Sequence, residues 1–177
     1  PEEIRSHLLV AWMLVFSVGA YLVLCPTTER SPFYVYGGTS IALLAAATAA
    51  ELDGAALTIA LTFEVAVVVL AAHALRLGSN VVTGLSLLFC GPILLSLESI
   101  TTTAWNSGVL HEDFFNLLIL AFVLMIVGLV TGDKQELRDS DSVGGGGVLV
   151  TFGSIYGLVL VWLVIHALIS DDAATMT

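Results

Sequence analysis

Positive charge is what this sequence has least of. Five Lys and Arg residues stand against 15 Asp and Glu, for a net charge of −10. Phosphate backbones are bound by Lys and Arg, so the balance argues against nucleic acid as a partner. It argues equally against a polybasic surface for anionic headgroups. Acidic, lysine-poor loops suit high salt, where their mutual repulsion is screened. Charge of either sign is scarce, at 11% of residues, whereas an ordinary soluble domain carries about a quarter. Cysteine is confined to Cys25 and Cys90, without CxxC spacing. Both read as small buried hydrophobes. No N-x-S/T acceptor, nucleophile motif, phosphate loop or metal-ligand spacing occurs. The reading therefore assigns no catalytic residue, no metal and no cofactor. The ten-residue alternation of a transmembrane β-barrel is missing as well.

What the chain does have is apolar length. Of 177 residues, 58% are hydrophobic, and mean hydropathy is +1.01. A soluble fold of this size has too little interior to hide so much apolar surface, so the chain reads as an integral membrane protein. Six apolar runs stand out, near 8–25, 33–50, 55–75, 81–97, 114–131 and 148–169. Backbone groups in lipid must be bonded within their own segment, which makes these runs helices. The expected fold is all-α: a polytopic bundle of about six spans, with the bilayer and other transmembrane helices as partners. Its parts are a five-helix bundle over 1–132, a flexible Gly-rich linker over 133–147, and a sixth helix with an acidic tail over 148–177.

The first run is longer than a signal-peptide core and has no Ala-x-Ala after it, so it reads as a span. Leu24-Cys25 only weakly matches a lipoprotein cleavage site. Because the chain opens on Pro1, it is expected to be a piece of something longer. Gly38, Ala42, Ala46 and Ala50 recur every four residues in the second run. In lipid such small-residue stripes let helix backbones approach, so this one is expected to pack.

The third run, AALTIALTFEVAVVVLAAHAL over Ala55–Leu75, carries one ionisable residue near its middle, Glu64. A charge at mid-bilayer costs at least ~2.5 kcal/mol on insertion scales. Glu64 is therefore expected to face protein, on the side shared with Ala56, Ala60 and Ala72. It is the candidate intramembrane polar site, with either a structural hydrogen-bonding role or a proton or cation role. In the fourth run Gly91 and Pro92 mark a candidate helix break, since proline removes a backbone donor. Residues 98–113 read as a loop, with Trp105 at the membrane interface. Glu98, His111, Glu112 and Asp113 form a candidate outer polar cluster there. Acids at a helix N-terminus suit the helix dipole without any ligand. His166, near the end of the last run, reads as interfacial.

Lys and Arg mark cytoplasmic loops. With six spans, Arg30, Arg76, Lys134 and Arg138 fall on one side and Arg5 on the other. The chain is thus expected in the cell membrane with the first four cytoplasmic and both ends outside. An internal echo links Ser40-Ile41 and Asp53-Gly54-Ala55-Ala56 to Ser154-Ile155 and Asp171-Asp172-Ala173-Ala174. It is either the start of a repeat or a chance match within low-complexity apolar sequence.

These motifs carry a resemblance. Asp53-Gly54-Ala55-Ala56-Leu57-Thr58, then Phe63-Glu64, then Arg76-Leu77-Gly78 resemble part of the large, many-helix prokaryotic membrane proteins grouped as a domain of unknown function. The resemblance spans residues 40–131 and the segment 154–177. It implies hydrophobic hairpins joined by short Asp/Gly turns, and no particular activity. Three functions remain in view. A structural or assembly module of a larger multi-spanning protein is preferred. The alternatives are a transporter or channel component using Glu64, and a membrane enzyme acting on lipid or glycan through the outer cluster.

Overall fold

The computed structural model describes residues 2–24, 31–106, 109–132 and 145–175. Among these, all regular structure is helical. Seven α-helices follow in order: α1 (Glu2–Leu24), α2 (Ser31–Glu51), α3 (Gly54–Ala74), α4 (Ser79–Ser86), α5 (Cys90–Thr101), α6 (Glu112–Gly132) and α7 (Gly145–Thr175). Short 3-10 turns lie at Leu87–Phe89 and Thr103–Asn106. Four helical stretches are long and apolar enough to cross a membrane: Gly54–Ala74, Ser79–Thr101, Glu112–Gly132 and Gly145–Ile169. Among the described residues, α1 contributes an apolar stretch over Val10–Ala20.

The chain divides into two units, Pro1–Asp53 and Gly54–Thr177. The boundary differs from the one read from sequence, which kept α1 to α6 together and set the last helix apart. In the second unit α7 packs along α6, and its Leu149, Tyr156, Leu160 and Leu163 join a core with Val69, Phe89, Leu120 and Leu124. A helix with an apolar face must bury it, and α7 buries its own on α6.

The first unit is a hairpin of α1 and α2. Ser17 and Ser40 share a hydrogen bond through their hydroxyls. Ser40 Oγ also donates to the Met13 carbonyl at 3.3 Å. Gly19 brings α1 against the Tyr36 ring, which leaves a Cβ only 3.4 Å from the nearest ring carbon. This contact uses the Tyr36–Ser40 line of α2. Gly38, Ala42, Ala46 and Ala50 lie on another face and are exposed. The expected stripe therefore does not pack on α1. A serine pair bonding across the hairpin fixes the rotation of α2 and turns the stripe outward.

In the second unit the closest helix approach is between α6 and α7. Gly128 and Gly132 are spaced GxxxG on α6 and face Gly146 of α7, while Gly153 of α7 faces Ala121 and Met125. A Cβ on Gly146 would lie 2.6 Å from the Gly132 backbone, and one on Gly128 would lie 2.8 Å from the Gly146 carbonyl oxygen. A Cβ on Gly153 would meet the Met125 side chain at 2.7 Å. Contacts this short exist only because no side chain separates the backbones. Gly145, Gly146 and Gly147 were expected in a flexible linker. They are instead the first turn of α7, and Gly146 is buried. Packing against α6 outweighs the entropic cost of glycine in a helix. The rest of the expected linker, with Lys134 and Arg138, lies outside the described residues. Arg30 and Cys25 do too.

The fourth run of the sequence is longer than expected, Ser79–Thr101, and changes to 3-10 geometry at Leu87–Phe89. Pro92 has no N–H to give the Leu88 carbonyl, and its ring crowds that same group. The irregularity therefore sits one turn ahead of the proline. Pro92 is buried, while Gly91 and Cys90 are exposed. Cys90 is thus not the buried hydrophobe expected. At the end of α3, Arg76 takes a left-handed conformation with φ 53°. The amides of Arg76 and Leu77 reach back to the His73 and Ala72 carbonyls, closing the helix as a Schellman turn. The internal echo does not extend to backbone structure: Asp53 lies outside a helix, whereas Asp171–Ala174 lie within α7.

Candidate functional site

Several buried polar side chains of the second unit, Ser96, Ser99 and Asn116, lie near the end where α5 finishes and α6 begins. Two hydrogen bonds join these antiparallel helices as rungs one turn apart. Thr102 Oγ1 donates to Asp113 Oδ2 at 3.2 Å. Asn116 Nδ2 donates to Ser99 Oγ at 2.8 Å. Ser99 and Thr102 are three residues apart on one side, and Asp113 and Asn116 on the other, which is the spacing of helix neighbours. One turn deeper, Ser96 Oγ and Tyr156 Oη lie 2.7 Å apart, and Tyr156 Oη donates to the Ile93 carbonyl at 3.0 Å. This ties α7 to α5. Ser96 and Asn116 are buried.

The connecting segment covers this end. Trp105 was expected at the membrane interface, yet it is buried. Its indole Nε1 donates to the Ser99 carbonyl at 3.0 Å. The last carbonyls of a helix have no partner within it, and an indole N–H satisfies one of them here. His111 stands edge-on to Trp105, with ring centroids 4.3 Å apart. The backbone carbonyl of His111 accepts from Phe114 N at 3.1 Å and so starts α6. Its Nδ1 lies 3.7 Å from Asp113 Oδ2. Both imidazole nitrogens, and Asn116 Oδ1, are buried without a hydrogen-bond partner.

Of the four residues expected in an outer cluster, the structure brings His111 and Asp113 together. Glu112 is exposed in the first turn of α6. Glu98 belongs to α5 rather than to a loop, and it too is exposed. Ser96, Ser99, Thr102, Asn116 and Tyr156 were missed by the sequence reading. Their signal was present as polar residues at helical spacing, Ser96-Ser99 and Asp113-Asn116, but each pair was split between the end of an apolar run and the stretch 98–113 read as a loop. Among the described residues no group of three or more His, Cys, Asp or Glu side chains is placed to hold a metal.

Glu64 is half-buried on α3. The buried face of that helix is formed by Thr58, Thr62, Val65, Ala66, Val69 and Ala72. At 3.6 residues per turn, Glu64 falls on the opposite half of the helix. The expected face of Ala56, Ala60, Glu64 and Ala72 is not one covered stripe, since Ala72 is buried and Ala56 exposed. The two threonines displace it. Thr58 Oγ1 donates to the Gly54 carbonyl at 3.2 Å and Thr62 Oγ1 to the Thr58 carbonyl at 2.7 Å. With its hydroxyl bonded to its own helix, threonine packs much as valine does. A groove of about 670 Å³ also runs between α3 and α6, lined by apolar residues that include Phe63, Val67, Leu70 and Phe122. His166 is exposed beside Trp162, with ring centroids 5.6 Å apart.

Comparison of the chain with family models, with curated proteins and with solved structures returns no match.

Proposed function

We propose that this chain is a six-span helical module of the cell membrane whose role is structural, as part of a larger multi-spanning assembly. The observation that supports this most is the use made of polar side chains within the apolar helices. Ser96 is bonded to Tyr156 and Asn116 to Ser99, each across a helix interface. Spent in this way, such groups fix a single packing. Large apolar side chains such as Phe122, Leu129, Leu158 and Trp162 are exposed around the second unit, as suits helices facing lipid or further helices. In this reading α1 and α2 are the two spans beyond the four of sufficient length and hydropathy. The exposed Gly38–Ala50 stripe is then a surface for a neighbouring helix, in keeping with the resemblance to many-helix membrane proteins.

The orientation belongs to the same proposal: Arg30, Arg76, Lys134 and Arg138 cytoplasmic, both ends outside. Reconstitution tests the function. Purified protein in liposomes loaded with pH- and cation-sensitive dyes should give no flux above empty vesicles. A proton or cation flux that Glu64→Gln abolishes, with the variant still folded, would replace the structural role by transport.

A further inference from the structure

We propose that His111, Asp113 and Asn116 form a binding site for one divalent transition-metal ion at the start of α6. The first observation is a distance. His111 Nδ1 and Asp113 Oδ2 are 3.7 Å apart, which is too long for a hydrogen bond. It lies within the separation of two ligands that share one ion at about 2.0–2.2 Å each.

The second observation is independent of the first. Asn116 is only 1% exposed, and its Oδ1 has no partner. Ser99 holds the amide nitrogen at 2.8 Å, so the carbonyl oxygen is turned away from Ser99. Helical side chains lean toward the N-terminus, and Asn116 lies three residues beyond Asp113. Asn116 therefore shares a face of α6 with Asp113, one turn further along. Both imidazole nitrogens are buried and unpartnered as well. Buried polar atoms of this kind call for an explanation. Within one turn of the start of α6 stand an amide oxygen, a carboxylate and an imidazole nitrogen, and a cation accepts a lone pair from each.

The ligand types select the class of ion. One imidazole with carboxylate and amide oxygen suits zinc, cobalt or manganese. Calcium wants six or more oxygens. The third ligand is an amide rather than a His, Cys, Asp or Glu, which is why spacing in the sequence gives no sign of it. Asp113 is 22% exposed on its side chain, so water completes the coordination from outside. The supports of a metal site are also present. Thr102 donates to Asp113 Oδ2 at 3.2 Å, and the edge of Trp105 fixes the imidazole plane. Such outer partners orient the ligands.

The test uses full-length, tag-free protein in detergent, stripped with chelator, carrying Trp12→Phe and Trp162→Phe so that Trp105 is the remaining indole. Co²⁺ or Zn²⁺ alone is titrated by calorimetry, and Co²⁺ also by quenching of Trp105 fluorescence. One ion per chain should bind saturably, with quenching that follows the same isotherm. Thr102→Val should weaken binding by about tenfold or more, in line with the loss of an outer partner. His111→Gln and Asp113→Asn should weaken it further. Asn116→Asp should tighten it by adding a charge. If that buried aspartate prevents folding, the His111 and Asp113 variants decide the matter alone. Absence of a saturable site overturns the proposal, and so does an isotherm that His111→Gln and Asp113→Asn leave unchanged.

Discussion

Tyr156 shows how much one hydroxyl can do in an apolar interior. It lies next to Ser96 Oγ and bonds to the Ile93 carbonyl, so α7 is joined to α5 by a single phenol. Ser96 Oγ has a second acceptor in that same carbonyl, at 2.7 Å, and Tyr156→Phe therefore leaves no orphaned serine. The cost should be small, about 0.6 kcal/mol, the average for a hydrogen bond between membrane helices. A double-mutant cycle of Tyr156→Phe with Ser96→Ala, read by denaturant titration in mixed micelles, should return a coupling of that size. A coupling of zero would mean that the two hydroxyls do not bond. Arg76 is a second case in which one residue decides local structure. Its left-handed backbone is the conformation glycine prefers, yet an arginine holds it at the end of α3.

Helices six and seven are held by absence of side chain. On α7, Gly146 and Gly157 are both helical, but only Gly146 meets a neighbour. Gly146→Ala would drive a methyl into the Gly132 backbone and should destabilise by about 1–3 kcal/mol, as overpacking does. Gly157→Ala meets nothing within 4 Å and should be neutral or stabilising by up to about 1 kcal/mol, since alanine is the better helix former. Thermal unfolding of the two variants in the same detergent compares them directly, and equal melting temperatures would remove the glycine seam. The same elements show what the sequence made legible. Apolar length placed the helices, because a helix bonds the backbone groups of an apolar run within the run itself. Period alone does not say which face of an apolar helix meets which neighbour. Thr58 and Thr62 hid in a run where alanines looked like the packing face. The Gly145–Gly147 turn looked flexible because glycine usually is, and only α6 supplies the reason it is not. Asn116 drew no notice because its partner, Ser99, comes from another helix.

At the scale of the molecule, the proposed orientation rests on charge. Four of the five basic residues fall on one side if all six runs cross. A cysteine placed at Ser140, beside Arg138, should resist an impermeant thiol reagent applied to intact cells, once Cys25 and Cys90 have been changed to serine. Labelling there without permeabilisation would reverse the orientation. Among the described residues the core of the second unit runs from Val65 to Ala167.

The two kinds of contact in that unit sit at opposite ends of α6, and they constrain motion differently. Hydrogen-bonded rungs at Asp113 and Asn116 fix axial register, because sliding by one residue breaks both. Backbone resting on backbone at Gly128 and Gly132 has no such direction and resists separation far more than translation. A shear applied along α7 would be taken up at the Gly132 end and stopped where Tyr156 meets Ser96.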